Sequence, residues 1–156
     1  MATRSGSVDP GLVLWLLQHG GLGLDEVARG LEHEAGLAGI VGGTGDMRSV
    51  VAGVVRGDKT SCLGLAIYIH RLRREIAAMV PALERLDAVV FTGGIGEHQP
   101  LVRAGAVDGL AFLGLVIDPD KNDPATADAD VSGTGSTVRT LVVTAREDLE
   151  VARQVR

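Results

Sequence analysis

One short stretch of this chain carries the residue types that phosphate chemistry uses. Residues 89–98 read Val-Val-Phe-Thr-Gly-Gly-Ile-Gly-Glu-His, an apolar run that ends in three glycines, a carboxylate and an imidazole. Glycines let a backbone approach a ligand closely, and a helix that begins there offers free N–H groups to an anion. The spacing matches neither a Rossmann fingerprint nor a Walker A loop. Two interpretations are open: a phosphate-approach turn, or a tight connection and nothing more.

Two further groups of polar residues could serve the same ligand. Asp46 and Arg48 follow the glycines of 42–45, and a carboxylate can bind a ribose or adenine donor while a guanidinium holds phosphate. The alternative is that Asp46 caps a helix and Arg48 is solvated. Glu147 follows an apolar run at 141–143, where a carboxylate either recruits Mg²⁺ or offsets the dipole of a new helix.

The elements that position these residues alternate between strands and helices. An apolar run predicts strong strands at 87–92 and 138–143, with a weak strand at 115–117. The Asp- and Pro-rich segment 118–136 is expected to be a mobile surface loop. Spacings of three and four, with capping signals such as Asp9-Pro10, predict helices at 10–19, 24–34, 46–55, 58–84, 98–111 and 147–155.

This order of elements predicts an α/β architecture, because helices separate the strands. Two strong strands and one weak one are few for a free-standing sheet. The chain is therefore expected to be part of something larger, although no internal domain boundary is visible in its composition.

Composition and charge restrict the class of function. The chain has 156 residues, 46% of them hydrophobic, and a net charge of −5, which disfavours a nucleic-acid binder because such proteins present basic surfaces. Cys62 is the single cysteine, so an internal disulfide and a cysteine-built metal site are excluded. The sequence shows no signal peptide and no apolar run near the roughly 20 residues of a membrane span. We expect a cytoplasmic protein that binds neither membranes nor nucleic acids.

Three motifs occur together in one order. They are Thr-Arg-Ser-Gly with Asp-Pro in 3–10, Gly-Asp-Met-Arg at 45–48 and Phe-Thr-Gly-Gly-Ile-Gly-Glu at 91–97. In this order and at similar distances they resemble the acetate kinases, members of the acetate and sugar kinase, heat-shock protein and actin superfamily. The resemblance implies a partial ribonuclease-H-like (actin-like ATPase) domain with helices packed on a small mixed sheet. It further implies that residues 1–156 are the C-terminal, nucleotide-side portion, with the family's N-terminal domain absent.

The resemblance assigns a role to each matching position. In chain order these are Arg4 at the transferring phosphoryl group, Asp46, Met47 and Arg48 at the adenosine part of the nucleotide, Gly94, Ile95, Gly96, Glu97 and His98 along the nucleotide, and Glu147 in Mg²⁺ binding. Arg103 matches another arginine near the nucleotide. The chain departs from the family pattern at 44–45, at His98 and at 145–146, and the last departure affects the surroundings of the metal-linked glutamate.

The activity implied by the resemblance is the reversible transfer of a phosphoryl group from ATP to acetate, which gives acetyl phosphate and ADP. The implied cofactor is Mg²⁺ (or Mn²⁺), and the implied assembly is a homodimer formed through this region. Further groups that the family needs for phosphoryl transfer are missing from this sequence, so the chain alone is expected to be inactive. Two alternatives stay open: a non-catalytic nucleotide-binding or dimerisation remnant, and a fragment of a propionate or butyrate kinase.

Overall fold

The computed structural model describes residues 2–125 and 128–155. Contacts between Cα atoms divide the chain into two compact units, Met1–Tyr68 and Ile69–Arg156. The sequence suggested no such boundary. The division falls inside a continuous helix, Lys59–Met79, and a boundary within a helix carries none of the Gly, Pro or polar enrichment that marks a linker.

The first unit is helical. Asp9 caps its first helix by accepting hydrogen bonds from the N–H groups of Gly11 and Leu12, as the Asp-Pro pair predicted. The glycine-rich stretch 36–45 begins with a short helix that periodicity did not indicate. The helices of this unit are α1 (Pro10–His19), α2 (Leu24–His33), α3 (Gly36–Val41), α4 (Met47–Val55) and the first part of α5 (Lys59–Met79). Its buried apolar side chains are those of Val27, Leu37, Met47, Val50 and Leu65.

Helix α5 ends earlier than its apolar periodicity predicts. It stops at Met79, and Val80–Ala82 form a 3₁₀ turn, whereas the prediction ran to residue 84. Pro81 explains the difference, because proline donates no backbone hydrogen bond and disfavours helical geometry in the residue before it.

The second unit is built on a small mixed sheet. Its strands are β1 (Ala88–Phe91), β2 (Ala129–Asp130) and β3 (Arg139–Val142), in the order β1-β3-β2. Strands β1 and β3 are parallel, while β2 runs antiparallel to β3. The carboxyl ends of β1 and β3 therefore meet at one edge of the sheet. The core on this sheet contains Phe91, Ala106, Val107, Leu110, Leu115 and Val138.

In the second unit, the structure differs from three predictions, which concern a helix, a strand and a loop. The helix expected at 98–111 is present over Pro100–Asp108, and a separate short helix over Gly93–His98, which apolar periodicity did not indicate, begins at the glycines. The weak strand at 115–117 makes only isolated bridges. The expected surface loop at 118–136 contains a helix and β2, and it buries Asn122 and Val131. The helices are α6 (Gly93–His98), α7 (Pro100–Asp108), α8 (Pro119–Asn122) and α9 (Glu147–Gln154).

In the part of the chain that the structure describes, no helix combines the length and apolar character needed to cross a bilayer.

Candidate functional site

In the first unit, Gly45 brings the start of α4 against the N-terminal segment. Its φ is +66°, and a Cβ at this position would lie 2.7 Å from the backbone nitrogen of Ala38 and closer still to the carbonyl oxygen of Ala2. Only glycine fits both the conformation and the space. Asp46, the next residue, therefore caps α4 beside the segment that carries Arg4.

The backbone around Arg4 is anchored while its side chain is exposed. The N–H of Ala35 donates to the carbonyl of Thr3 (2.9 Å), and the N–H of Ser5 donates to the carbonyl of Leu31 (2.8 Å). The Arg4 guanidinium has no hydrogen bond or ion pair to any described residue. A fixed backbone with a free cation suits a residue that meets a ligand's negative charge.

Asp46 and Arg48 form one charged group at the start of α4. Asp46 accepts from the N–H of Arg48 (2.9 Å), and its carboxylate pairs with the Arg48 guanidinium through Nε (3.1 Å) and Nη2 (2.5 Å). This hydrogen bonding holds the pKa of Asp46 below its ordinary value and raises the pKa of Arg48. Asp46 is thus an N-cap and a partner of Arg48 at once. Met47, between them, has a buried side chain.

A cavity of about 470 Å³ opens beside this charged group. It is lined mainly by the glycine-rich turn before α4 and by polar side chains. These include Asp46, Ser49, Arg56, Asp58 and Ser61. The first unit therefore places Asp46 on the wall of a polar recess.

In the second unit, the three glycines of α6 differ in what the fold requires of them. Gly93 has a φ of +72°, which favours glycine. A Cβ on Gly96 would lie 3.1 Å from the carbonyl carbon of Phe91, so this helix backs closely onto β1. Gly94 is exposed, its φ is not positive, and an added Cβ would meet nothing within 4 Å. The described fold gives no reason for glycine at position 94.

The side chain of Glu97 turns into the protein. It is 6% exposed, and its Oε1 accepts hydrogen bonds from the N–H groups of Gly93 (2.8 Å) and Ala145 (2.9 Å). The carboxylate therefore joins the turn after β1 to the turn after β3. Two other residues assigned to the nucleotide by resemblance lie on the same helix, with Ile95 half-buried and His98 exposed.

Arg103 is fully buried, and it contacts the backbone of α6, the helix that the resemblance assigns to the nucleotide. Its guanidinium donates to the carbonyls of Gly96 (2.8 Å), Glu97 (2.7 Å) and Asn122 (2.6 Å), and to the Asn122 side chain (2.7 Å). Removal from water lowers the pKa of Arg103. Arg103 is therefore a buried structural residue that holds the end of α6 through hydrogen bonds. The sequence did not predict its burial, because charged side chains are usually exposed.

Glu147 is exposed at the first position of α9 and makes no hydrogen bond or ion pair within residues 2–125 and 128–155. Over the same residues, no group of three or more His, Cys, Asp or Glu side chains could hold a metal ion. Magnesium is commonly held by one or two carboxylates together with water and substrate phosphates. A single unpaired carboxylate fits that mode of binding and does not fit a site built from protein ligands alone.

Asp128 is a residue that the sequence did not single out. Its Oδ1 accepts from the N–H of Thr144 (2.9 Å), and its Oδ2 pairs with the Arg146 guanidinium (2.6 Å). The hydrogen bond from Arg146 is the main reason that the pKa of Asp128 is lowered. Because 18 residues separate Asp128 from Arg146 and neither belongs to a recognised motif, no sequence signal connects them.

The structure thus gathers the predicted residues into two sets. In the first unit, the segment bearing Arg4 lies against the turn that leads to Asp46, Met47 and Arg48. In the second unit, α6 and the turn that leads to Glu147 meet at the carboxyl edge of β1 and β3. Ligands of α/β proteins bind outside this edge of the sheet.

This α/β fold is that of solved acetate and propionate kinase chains. An acetate kinase from Porphyromonas gingivalis superposes with a TM-score of 0.90 at 29% identity, over 99% of this chain and 39% of that one. A propionate kinase from Francisella tularensis gives 0.90 at 33% identity with the same coverage. The predicted fold class, with helices packed on a small mixed sheet, is confirmed.

Sequence comparison then gives the family. The profile of the Acetokinase family matches residues 1–153, and an acetate kinase from Gloeobacter violaceus is 42% identical over 99% of this chain. The chain belongs to the Acetokinase family. It spans 38% of the length of that relative.

Proposed function

We propose that this chain is the nucleotide-side portion of a kinase that transfers a phosphoryl group reversibly between ATP and acetate. Membership of the Acetokinase family supports the reaction class. The observation that carries the nucleotide assignment is Gly94, a glycine at the carboxyl edge of the sheet that the described fold does not require. A backbone without a Cβ at this position leaves room for a phosphate or sugar to lie against α6.

The second unit binds the nucleotide's phosphate side. The backbone of α6 at Gly94, Ile95 and Gly96 lies along the nucleotide, while the side chain of Glu97 holds the turn from inside. His98 is exposed at the end of this helix and supplies a polar contact. Glu147 offers an unpaired carboxylate to Mg²⁺ or Mn²⁺, and the bound cation neutralises phosphate charge.

The first unit binds the adenosine side and the transferring group. Asp46, on the wall of the recess, accepts a hydrogen bond from a ribose or adenine donor, and Arg48 keeps that carboxylate ionised and oriented. The buried Met47 contributes through its backbone. Arg4 supplies positive charge to the transferring phosphoryl group, whose transition state spreads negative charge over its equatorial oxygens.

The chain alone is proposed to bind nucleotide without turnover. In-line phosphoryl transfer depends on several positioned cations, and loss of a single finger-type arginine costs about 10³–10⁵ in rate. Residues 1–156 correspond to 38% of a relative's length. We propose that the other groups needed for phosphoryl transfer lie in the part of such a longer protein that this chain does not include.

The test is calorimetric titration of the chain with ADP in the presence of Mg²⁺. We expect binding, and we expect Asp46→Ala to weaken it by about tenfold or more, since a hydrogen bond to a charged group contributes about 1.5–3 kcal/mol. Asp25→Ala, which removes an exposed acid from the first turn of α2, is the matched control. If the chain is folded but does not bind ADP, the nucleotide-side proposal fails and the alternative of a non-catalytic remnant stands. Acetyl phosphate formation near the roughly 1–100 s⁻¹ of ordinary kinases would overturn the partial-enzyme proposal.

Propionate is a second candidate acyl substrate. The similarity to the Francisella propionate kinase, at 33% identity and a TM-score of 0.90, equals the structural similarity to the Porphyromonas acetate kinase. The ratio of kcat/KM for acetate and propionate, measured on the longer protein that contains these residues, decides between the two.

We also propose that the chain pairs with a second copy through its first unit. Helix α1 consists mainly of apolar residues, none of which is buried. Exposed apolar surface of this kind marks sites of association.

A further inference from the structure

We propose that Asp128 is a positioning residue for the Glu147 carboxylate. The inference rests on the proposed role of Glu147 in Mg²⁺ binding and goes beyond it, because it assigns the orientation of that carboxylate to a residue 19 positions earlier in the chain. Asp128 itself does not touch the nucleotide or the metal in this proposal.

The turn between β3 and α9 is held at three consecutive residues. Asp128 accepts the Thr144 N–H at 2.9 Å, Glu97 accepts the Ala145 N–H at 2.9 Å, and Asp128 pairs with the Arg146 guanidinium at 2.6 Å. Glu147 follows directly and has no partner of its own among the described residues. The backbone that these contacts fix therefore sets the position from which the Glu147 side chain extends.

Asp128 is the member of this group whose removal loosens the turn most selectively. The Asp128–Arg146 pair is half exposed, with side-chain exposures of 51% and 50%, so it contributes little to global stability. Glu97, in contrast, is buried and also holds Gly93. Replacing a residue that holds a metal ligand in position typically lowers metal affinity by about 10- to 100-fold. Because the Asp128–Arg146 pair is half exposed, we expect the effect of replacing Asp128 to lie at the lower end of that range.

The neighbouring strand supplies a matched control. Asp130 makes a similar set of contacts: its Oδ1 accepts the Ser132 N–H at 3.0 Å and the Ser132 hydroxyl at 2.5 Å, and its Oδ2 accepts from Arg139 at 3.0 Å. That pair does not contact the turn before α9. Asp130→Ala therefore removes a carboxylate, a backbone hydrogen bond and an ion pair, together with the Ser132 hydroxyl contact, and leaves the three contacts of the turn before α9 in place.

The experiment measures ADP affinity of the full chain with and without Mg²⁺ for the parent, Glu147→Gln, Asp128→Ala, Asp128→Asn and Asp130→Ala. We expect Asp128→Ala to reduce the Mg²⁺-dependent gain in ADP affinity by about tenfold and to leave affinity without Mg²⁺ unchanged. Asp128→Asn, which keeps an acceptor for the Thr144 N–H, is expected to lose less. Asp130→Ala is expected to match the parent. Amide exchange at Thr144, followed by NMR, is expected to accelerate in Asp128→Ala alone among the aspartate-to-alanine variants.

Each contrary result has a distinct meaning. If Glu147→Gln reduces the Mg²⁺-dependent gain and Asp128→Ala does not, the positioning role is overturned while the proposed function stands. If Asp128→Ala weakens ADP equally with and without Mg²⁺, the residue is merely structural and the inference also fails. If neither the parent nor Glu147→Gln responds to Mg²⁺, the metal role of Glu147 is wrong, and the inference that depends on it falls with it.

Discussion

Gly94 and Gly96 are two residues apart on α6, and the fold requires only the second. We expect Gly94→Ala to leave stability unchanged or raise it by up to about 1 kcal/mol, because alanine is the better helix former and meets nothing within 4 Å. The same variant should bind ADP about tenfold more weakly, about 1.4 kcal/mol. Gly96→Ala, the control, should lose stability because its Cβ would press on the Phe91 backbone. Urea unfolding and calorimetry measure both quantities, and unchanged ADP affinity in Gly94→Ala would contradict the proposed contact.

Arg103 is a buried cation whose guanidinium donates hydrogen bonds to backbone carbonyls. Replacement by Met fills similar space but leaves the carbonyls of Gly96 and Glu97 and the side-chain oxygen of Asn122 without a donor. Each buried group left unpaired costs about 1–3 kcal/mol. We expect Arg103→Met to lower the free energy of unfolding by about 3 kcal/mol or more, measured by urea denaturation. Arg139→Met, at an exposed position, is the control. If Arg103→Met lowers the free energy of unfolding by less than about 1 kcal/mol, the hydrogen bonds of Arg103 are not needed for stability.

At the scale of elements, local signals predicted α1 and its Asp9 cap, α2, α4, β1, β3 and α9 within a few residues. These succeed because capping chemistry and apolar periodicity act within one element. The failures have a common physical cause, which is contact between elements distant in sequence. Residues 118–136 look like a surface loop by composition, yet Asn122 is buried because Arg103 donates to it. No residue near Asn122 in the sequence indicates that Arg103 is its partner.

The turn before α4 offers a prediction at the same scale, since Gly45 brings two segments together. Gly43→Ala and Gly45→Ala share the cost of a positive φ, at +67° and +66° respectively, which is of order 1 kcal/mol. Only at Gly45 would the new Cβ also strike the backbone of Ala2 and Ala38. We expect Gly45→Ala to be the more destabilising variant by about 1–3 kcal/mol, and to weaken ADP binding because Asp46 shifts.

Thermal or urea unfolding of the two glycine variants, read beside ADP titration, tests this contact. Equal destabilisation would mean that the approach of the N-terminal segment to Gly45 has no energetic consequence. Loss of ADP binding in Gly43→Ala alone would place the ligand on the other side of the turn.

For the molecule as a whole, the sequence indicated the positions of the candidate site better than their arrangement. Residue chemistry pointed to Asp46, Arg48 and Glu147, whereas Arg4 was indicated only through resemblance to a family. Physical reasoning from single residues left capping and binding as alternatives at Asp46, and the structure shows capping together with an ion pair. The contact of Asp128 with the turn before Glu147 bridges a sequence separation that no motif spans.

The proposed pairing of two copies belongs to this largest scale. Within the described chain, α1 exposes Leu12, Leu14 and Trp15 by 48%, 57% and 54%. Burial of apolar surface against a second copy is favourable at about 25 cal/mol per Å² before the costs of association. Trp15 is the single tryptophan of the sequence, so its fluorescence reports on this helix directly. We expect a dimer in sedimentation, with Trp15 emission shifting to shorter wavelength as concentration rises.

A charge placed on the apolar surface of α1 tests the cause of that association. Leu14→Lys should weaken the dimer, because pairing would then bury an unpaired ammonium group. Gln18→Lys adds the same charge at an exposed polar position of the same helix and should leave the dimer intact. If the parent chain stays monomeric up to about 100 µM with constant Trp15 emission, α1 does not mediate self-association. If instead both lysine variants dissociate the dimer equally, apolar contact through Leu14 is not the cause of the pairing, and the proposed role of the apolar residues of α1 is wrong.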